Sequence, residues 1–207
     1  MITAHADGAL RPTAGALRLV EARTTDPKAV DIAPYMEAIY TYCPYLAPSV
    51  ERGLTGWTVY EAEGEAEDVE AEVFHAGVQA AEWVRPLAVR RHGGLVCENI
   101  MVLGSHAELL TWPHWALKNL YGPVGLMIGK FHAGEQRTNG DGRGITVPPV
   151  SFLPVRVAVR PRDPRFLAAT PDLAAALAVA VDDGRDVFED LPQEWKAVRA
   201  WAKGLLA

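Results

Sequence analysis

From Pro34 to Tyr42 the apolar positions recur at helical spacing, with Tyr35, Ile39 and Tyr42 along one side, so a short helix is predicted there. Pro44 disfavours helical geometry at the residue before it, which places Cys43 at a helix end. Trp57-Thr58-Val59-Tyr60-Glu61 alternates and is β-favouring, the pattern of a strand. A helical pattern then runs from about Ala66 to Arg91, with Pro86 a point of interruption. Its apolar stripe is Val69, Val73, Trp83, Val84 and Leu87, opposite Glu67, Glu70 and Glu82. The acidic start and the arginines at its end, Arg85, Arg90 and Arg91, both suit the helix dipole.

After Gly93-Gly94 the apolar run Leu95 to Leu103 predicts a buried strand, with Cys97 in its core. Ser105 and Glu108 form a capping box for a helix to Tyr121, interrupted at Pro113. Leu126 to His132 is a further strand, and a polar, glycine-rich loop follows from Ala133 to Gly144. From Phe152 to Arg160 the residues Phe152, Pro154, Arg156, Ala158 and Arg160 alternate with Leu153, Val155, Val157 and Val159. That predicts a half-buried strand with the valines inward. Two more helices are expected, one opened by Thr170-Pro171 and one capped at Asp190 with the stripe Trp195, Val198, Trp201 and Leu205. The sum is a single α+β domain over 29–207, a mixed β-sheet packed against several helices. Residues 1–28 form a loosely structured N-terminal arm in which Leu17, Leu19 and Val20 can make a short strand.

Composition narrows the function more than the fold. Hydrophobic residues make up 49% and charged residues 22%, as in an ordinary globular protein. Twenty basic against 26 acidic residues leave a formal charge of −6, so no nucleic-acid partner is expected. No apolar run reaches membrane-spanning length, and the first residues lack a basic start with an apolar stretch behind it. A cytoplasmic, reducing setting is therefore expected, in which Cys43 and Cys97 stay thiols.

Several familiar chemistries lack their residues. Gly140-Asp141-Gly142-Arg143-Gly144 does not open a helix after a strand, as a phosphate-binding glycine motif must. It is better described as a mobile loop or lid whose Arg137 and Arg143 can meet an anion. The histidines show no zinc spacing, and no Ser-His-Asp or GxSxG pattern occurs. His132 stands where a strand gives way to the loop, and His114 sits in the aromatic frame Thr111-Trp112-Pro113-His114-Trp115. Both are candidates to line a site. Tyr35, Tyr40, Tyr42 and Tyr45 crowd around Cys43, with Trp57 close behind. Such rings could wall a flat apolar cofactor, but each by itself reads first as core, and a free cysteine among them is more often a small hydrophobe than a ligand.

Tyr42-Cys43-Pro44-Tyr45, followed by Arg52-Gly53-Leu54 and the strand at Trp57 to Tyr60, resembles the start of the YqcI/YcgG family, whose members include haem-dependent N-hydroxylases of the guanitoxin type. The resemblance covers about fifteen residues and a general order of elements. It departs from the family at Thr41-Tyr42, where a Phe-Pro approach to the cysteine is usual. It implies a haem-thiolate oxygenase of bacterial secondary metabolism acting on a small amine, guanidine or amino acid, with an electron-donor protein and a second copy of the chain as expected partners. Cys43 would then be the iron ligand, with Tyr45, Arg52, Arg156 and Arg160 around the haem and its propionates. His132 and His114 would orient substrate or deliver protons, and Arg143 and Trp112 would contact it. Two other readings stand beside this one. The chain could be a non-enzymatic small-molecule-binding or accessory protein with Cys43 buried in its core. It could also be an enzyme using Cys43 as a nucleophile.

Overall fold

Strands β2 (Thr55–Ala62) and β3 (Cys97–Leu103) run parallel, in register from Thr55 opposite Cys97 to Glu61 opposite Leu103. A parallel pair cannot be closed by a tight turn and needs a crossover of about a dozen residues or more. Helix α3 (Ala66–Ala88) supplies it. The computed structural model describes residues 15–158 apart from 105–106, 123 and 139–141. Arg160, the capping serine Ser105 and the two helices expected after Thr170 lie outside the described residues.

Around the parallel pair the sheet is completed in the order β1-β2-β3-β7-β4. The outer strand β1 (Leu17–Thr24) comes from the segment expected as an arm and pairs antiparallel with β2. Strand β7 (Ser151–Val157) lies antiparallel between β3 and β4 (Leu126–Ile128). Between β4 and β7, in the loop expected over Ala133 to Gly144, β5 (Arg137–Thr138) and β6 (Gly144–Ile145) pair as a small separate ribbon. The molecule is thus a single α+β domain, a mixed sheet packed against helices.

One sheet face carries the larger core. Ile100, Val102, Leu153, Val155, Leu126 and Ile128 pack against α3 and α4 (Thr111–Tyr121). Helix α3 turns Val69, Val73, Phe74, Ala81 and Val84 inward. Pro86 does not break it, because it falls in the last turn and the helix runs on to Ala88. Pro113 likewise starts α4 instead of interrupting it, since N–H groups of a first turn have no intrahelical acceptor to lose. Gly77 lets the helices approach closely, as a Cβ there would collide with Leu117.

The opposite face is also covered. Trp57, Val59, Met101 and Phe152 pack under α1 (Ala33–Tyr40) and α2 (Leu46–Glu51), with Ile32, Tyr35 and Met36 above them. Strand β7 is therefore buried on both sides, with Leu153 and Val155 on one and Phe152 on the other, and the half-buried strand expected from alternation is corrected. Large residues at odd and even positions alike are what a doubly covered sheet requires. On the α3 side the buried carboxylate Glu98 accepts from Arg23 Nε at 2.7 Å and Thr58 Oγ1 at 2.9 Å, and Arg23 lies 3.9 Å over the Trp83 ring. This pairing fastens the edge strand β1 to the middle of the sheet.

Leu153 is fully buried at the centre of the larger core. Leu153→Ala is expected to cost about 2–5 kcal/mol, read as a lower urea midpoint at unchanged slope. Val20→Ala, on the exposed face of β1, should stay within about 0.5 kcal/mol.

Candidate functional site

The cover that α1 and α2 lay on the sheet is incomplete. Between them and the strands lies a chamber of about 460 Å³, within the range of small-molecule sites. Its floor is aromatic and centred on Phe152. The Phe131 ring stacks on Phe152 at 4.8 Å and 11°, while Trp57 and Tyr35 meet it edge-on at 5.5 and 6.0 Å. Such pairs each contribute about 0.5–1.5 kcal/mol beyond burial, so the floor is stiff. At Gly129 a Cβ would come within 2.7 Å of the Pro154 ring, and only glycine lets the chain after β4 cross there.

Cys43 occupies a corner of the wall. Helix α1 ends at Tyr40, and the N–H groups of Tyr42 and Cys43 both donate to the Ile39 carbonyl at 2.9 Å. Leu46 N–H donates to the Cys43 carbonyl at 3.2 Å as α2 begins. The thiol thus sits, half-buried, where two helices meet. Helix α2 is latched to the sheet by hydroxyls. Ser49 Oγ donates to the Leu95 carbonyl at 2.6 Å, so Thr55 Oγ1 donates to Ser49 Oγ, also at 2.6 Å.

The second cysteine opens on the same chamber. Cys97 was expected as plain core, but it points to the α1–α2 side of β3, opposite Arg156 of β7. Its Sγ donates to Asn99 Oδ1 at 3.7 Å, and Asn99 Nδ2 donates to the Gly56 carbonyl at 2.9 Å. Burial pushes the Cys97 thiol up to about 12 despite the nearby Arg156, so this sulfur stays protonated at neutral pH. Burial likewise pushes Tyr35 up to about 12, against the pull of Arg137.

His114 reaches the wall from α4. Its Nε2 donates to the Ile128 carbonyl at 3.2 Å, which fixes the neutral tautomer and leaves Nδ1 as acceptor. Burial first, then Lys130, lowers its pKa to about 4. Lys118, Lys130, Arg137 and Arg156 also line the chamber.

Of the residues the sequence singles out, Cys43, Tyr45, His114 and Arg156 share this wall. Others lie elsewhere. Arg52 is exposed at the end of α2 and donates to the Pro48 carbonyl at 3.0 Å. Trp112 packs 5.9 Å from Phe74 on the α3 side of the sheet. Arg143 is exposed beside the β5–β6 ribbon. His132 is half-buried beyond the described wall; its N–H faces Glu135 Oε2 at 3.4 Å, and its buried Nδ1 has no hydrogen-bond partner. Sequence reasoning missed Phe152, Asn99, Lys118 and Lys130 as wall residues. A signal for Phe152 existed in the large aromatic that breaks the one-sided pattern of β7.

Residues 41–193 match the family described as Domain of unknown function (DUF6875), and the chain belongs to that family. No curated protein and no solved structure matches it. The matched span opens two residues before Cys43. Among the described residues no helix is long and apolar enough to cross a membrane, and no group of three or more metal-ligating side chains occurs.

Two outcomes follow from the burial of this wall. Iodoacetamide on the native protein at pH 8 should modify Cys43 well before Cys97, as read by peptide mass spectrometry; equal rates would contradict the protonated state of Cys97. His114 has a folded pKa below its unfolded value of 6.5. Its contribution is therefore complete above that pH and is lost as pH falls from about 6.5 towards 4. Up to about 3 kcal/mol of unfolding free energy should disappear over that window, and His114→Asn should flatten the slope in urea titrations.

Proposed function

We propose that the chamber is a haem pocket with Cys43 as the thiolate ligand, and that the protein oxygenates a small organic metabolite there. The observation that carries this reading is the position of Cys43. It is a half-buried thiol at a helix corner, facing a chamber walled by flat rings. The resemblance of Tyr42–Leu54 to YqcI/YcgG proteins supports it from a separate direction.

The residues present fit such a group. A soft sulfur donor, apolar planar walls and cationic side chains are the parts a haem with two propionates requires. Of the two sulfurs, Cys97 is the poorer donor, because burial holds its proton. Arg156, level with Cys97, and Arg137, 5.2 Å from the Phe131 ring, are the guanidinium groups suited to propionates. Bound through a thiolate, haem supplies oxygen activation, since electron density from sulfur favours O–O cleavage. The protein's own part is to keep the chamber apolar, to hold the thiol at the α1–α2 corner, and to present an acceptor. Neutral His114, with Nδ1 unprotonated, can take a proton or orient a substrate hydrogen.

The test is an absorption spectrum of the purified chain after incubation with haem, then of the reduced sample under carbon monoxide. Thiolate ligation predicts a strongly red-shifted Soret band that is lost in Cys43→Ala and kept in Cys97→Ala. No haem uptake by the folded chain overturns the reading and leaves a cofactor-free binding or accessory protein.

A further inference from the structure

Several polar groups on the chamber wall are already answered by the protein. Thr55 donates to Ser49, Ser49 donates to the Leu95 carbonyl, and Asn99 joins Cys97 to the Gly56 carbonyl. Lys130 Nζ donates to Thr111 Oγ1 at 3.1 Å, and Arg137 donates to Glu135 Oε2 at 2.7 Å. Tyr35 and His114 differ. Among the described residues the Tyr35 hydroxyl has no hydrogen-bond partner, and neither has Nδ1 of His114. Both side chains line the chamber.

The two atoms are of opposite kind. Tyr35 comes from α1, is 6% exposed, and sets its ring edge-on to Phe152 at 6.0 Å and 78°. Burial raises its pKa to about 12, so at neutral pH the hydroxyl keeps its hydrogen and can donate it. His114 comes from α4 and commits its Nε2–H to the Ile128 carbonyl, which leaves Nδ1 with a lone pair that can only accept. Burial keeps that ring neutral. Arg137, 5.2 Å from the Phe131 ring, acts on both groups, so both lie within reach of one guanidinium beside the stacked Phe131–Phe152 pair. A neutral donor and a neutral acceptor are thus brought from two helices to one aromatic floor.

We infer that the ligand of this chamber is a flat aromatic molecule with both kinds of polar group, a carbonyl-type acceptor for the Tyr35 hydroxyl and an N–H or O–H for His114 Nδ1, of which an aromatic lactam is the simplest. A ligand that displaces water from these atoms must replace its hydrogen bonds or leave them buried and unpaired. An ammonium or guanidinium head, the class suggested by the sequence resemblance, brings hydrogens alone and leaves the Tyr35 proton unanswered. A carboxylate brings lone pairs alone and sets one against His114 Nδ1. A hydrocarbon answers neither, and a site built for hydrogen bonds rejects analogues that lack them more sharply than an apolar pocket rejects a missing methylene. This inference rests on the chamber being the substrate site, as proposed above, but not on haem occupying it.

The experiment uses three flat probes. 2-Quinolinone carries both groups, 1-methyl-2-quinolinone keeps the carbonyl without the N–H, and indole keeps the N–H without the carbonyl. Each is titrated calorimetrically into the purified full chain and into haem-incubated protein. 2-Quinolinone should bind at least about tenfold more tightly than either analogue. Tyr35→Phe, which keeps the ring against Phe152, should weaken both quinolinones by about tenfold or more and change indole by less than about twofold. His114→Leu should weaken 2-quinolinone and indole and leave the N-methyl compound within about twofold. Circular dichroism checks that each variant folds, and Tyr35→Phe with the three probes decides alone if His114→Leu does not. Equal binding of the three probes overturns the inference, as does a Tyr35→Phe loss as large for indole as for the quinolinones, or no binding of any probe. The expected pattern without haem uptake would sink the haem reading and keep this one. Haem uptake with probe affinities indifferent to Tyr35→Phe would do the reverse.

Discussion

The parallel pairing of β2 with β3 governs the rest of the molecule. It forbids a hairpin between them and makes α3 the connection, which commits one sheet face to a long helix. Parallel pairs are stable where both faces are dry, so the other face must be covered as well. Among the described residues the cover there is α1 and α2, 8 and 6 residues long. These two short helices do not seal the five-stranded sheet, and the gap they leave is the chamber. Its existence follows from an imbalance between the two layers, and its position from where α2 stops.

The same geometry explains the chemical character of the gap. Strand residues that point to the thinly covered side, Thr55, Cys97, Asn99 and Arg156, are polar or polarisable at the chamber end, whereas Met101 and Val59 further along are apolar and sealed. Polar side chains are tolerated there because each finds a partner: Asn99 reaches the Gly56 carbonyl, and Thr55 reaches Ser49. Among the described residues, the chamber wall holds no carboxylate. Glu98, one residue from Asn99, points the opposite way along the strand and pairs with Arg23. A one-residue slip of β3 would exchange Asn99 for Glu98 and turn a carboxylate toward the chamber.

Most elements were legible in the sequence because period decides them. The α3 stripe, the β2 alternation and the Pro44 stop at Cys43 each express a local rule. The layering was not legible. Phe152 and Leu153 are adjacent large residues, and no local pattern says that both find a core. Cys97 looked internal because the run around it is apolar, and only the register with Arg156 shows that its side faces a cavity. Trp112 misled in the opposite direction: an aromatic frame next to His114 suggested a common wall. The helix turns successive residues about 100° apart, and Trp112 goes to Phe74 while His114 goes to Ile128. The wall cations were hidden for a related reason, since Lys118, Lys130, Arg137 and Arg156 are scattered along the chain and gathered only by the fold.

Strand β7 is the last strand of the described chain, yet it sits between β3 and β4 near the middle of the sheet. During synthesis, a chain that has emerged only to Ile145 holds β4 without a neighbour and β3 with one edge bare. Neither Leu153 nor Phe152 is yet present to close either layer. Both described cores and the chamber are therefore completed only when this strand inserts between two that were made earlier. Pairings of such long sequence separation form slowly, and the bare edge of β3 is open meanwhile to other chains. The placement that gives the mature protein its doubly buried centre thus leaves the nascent chain dependent on a segment that arrives after the other described strands of its sheet.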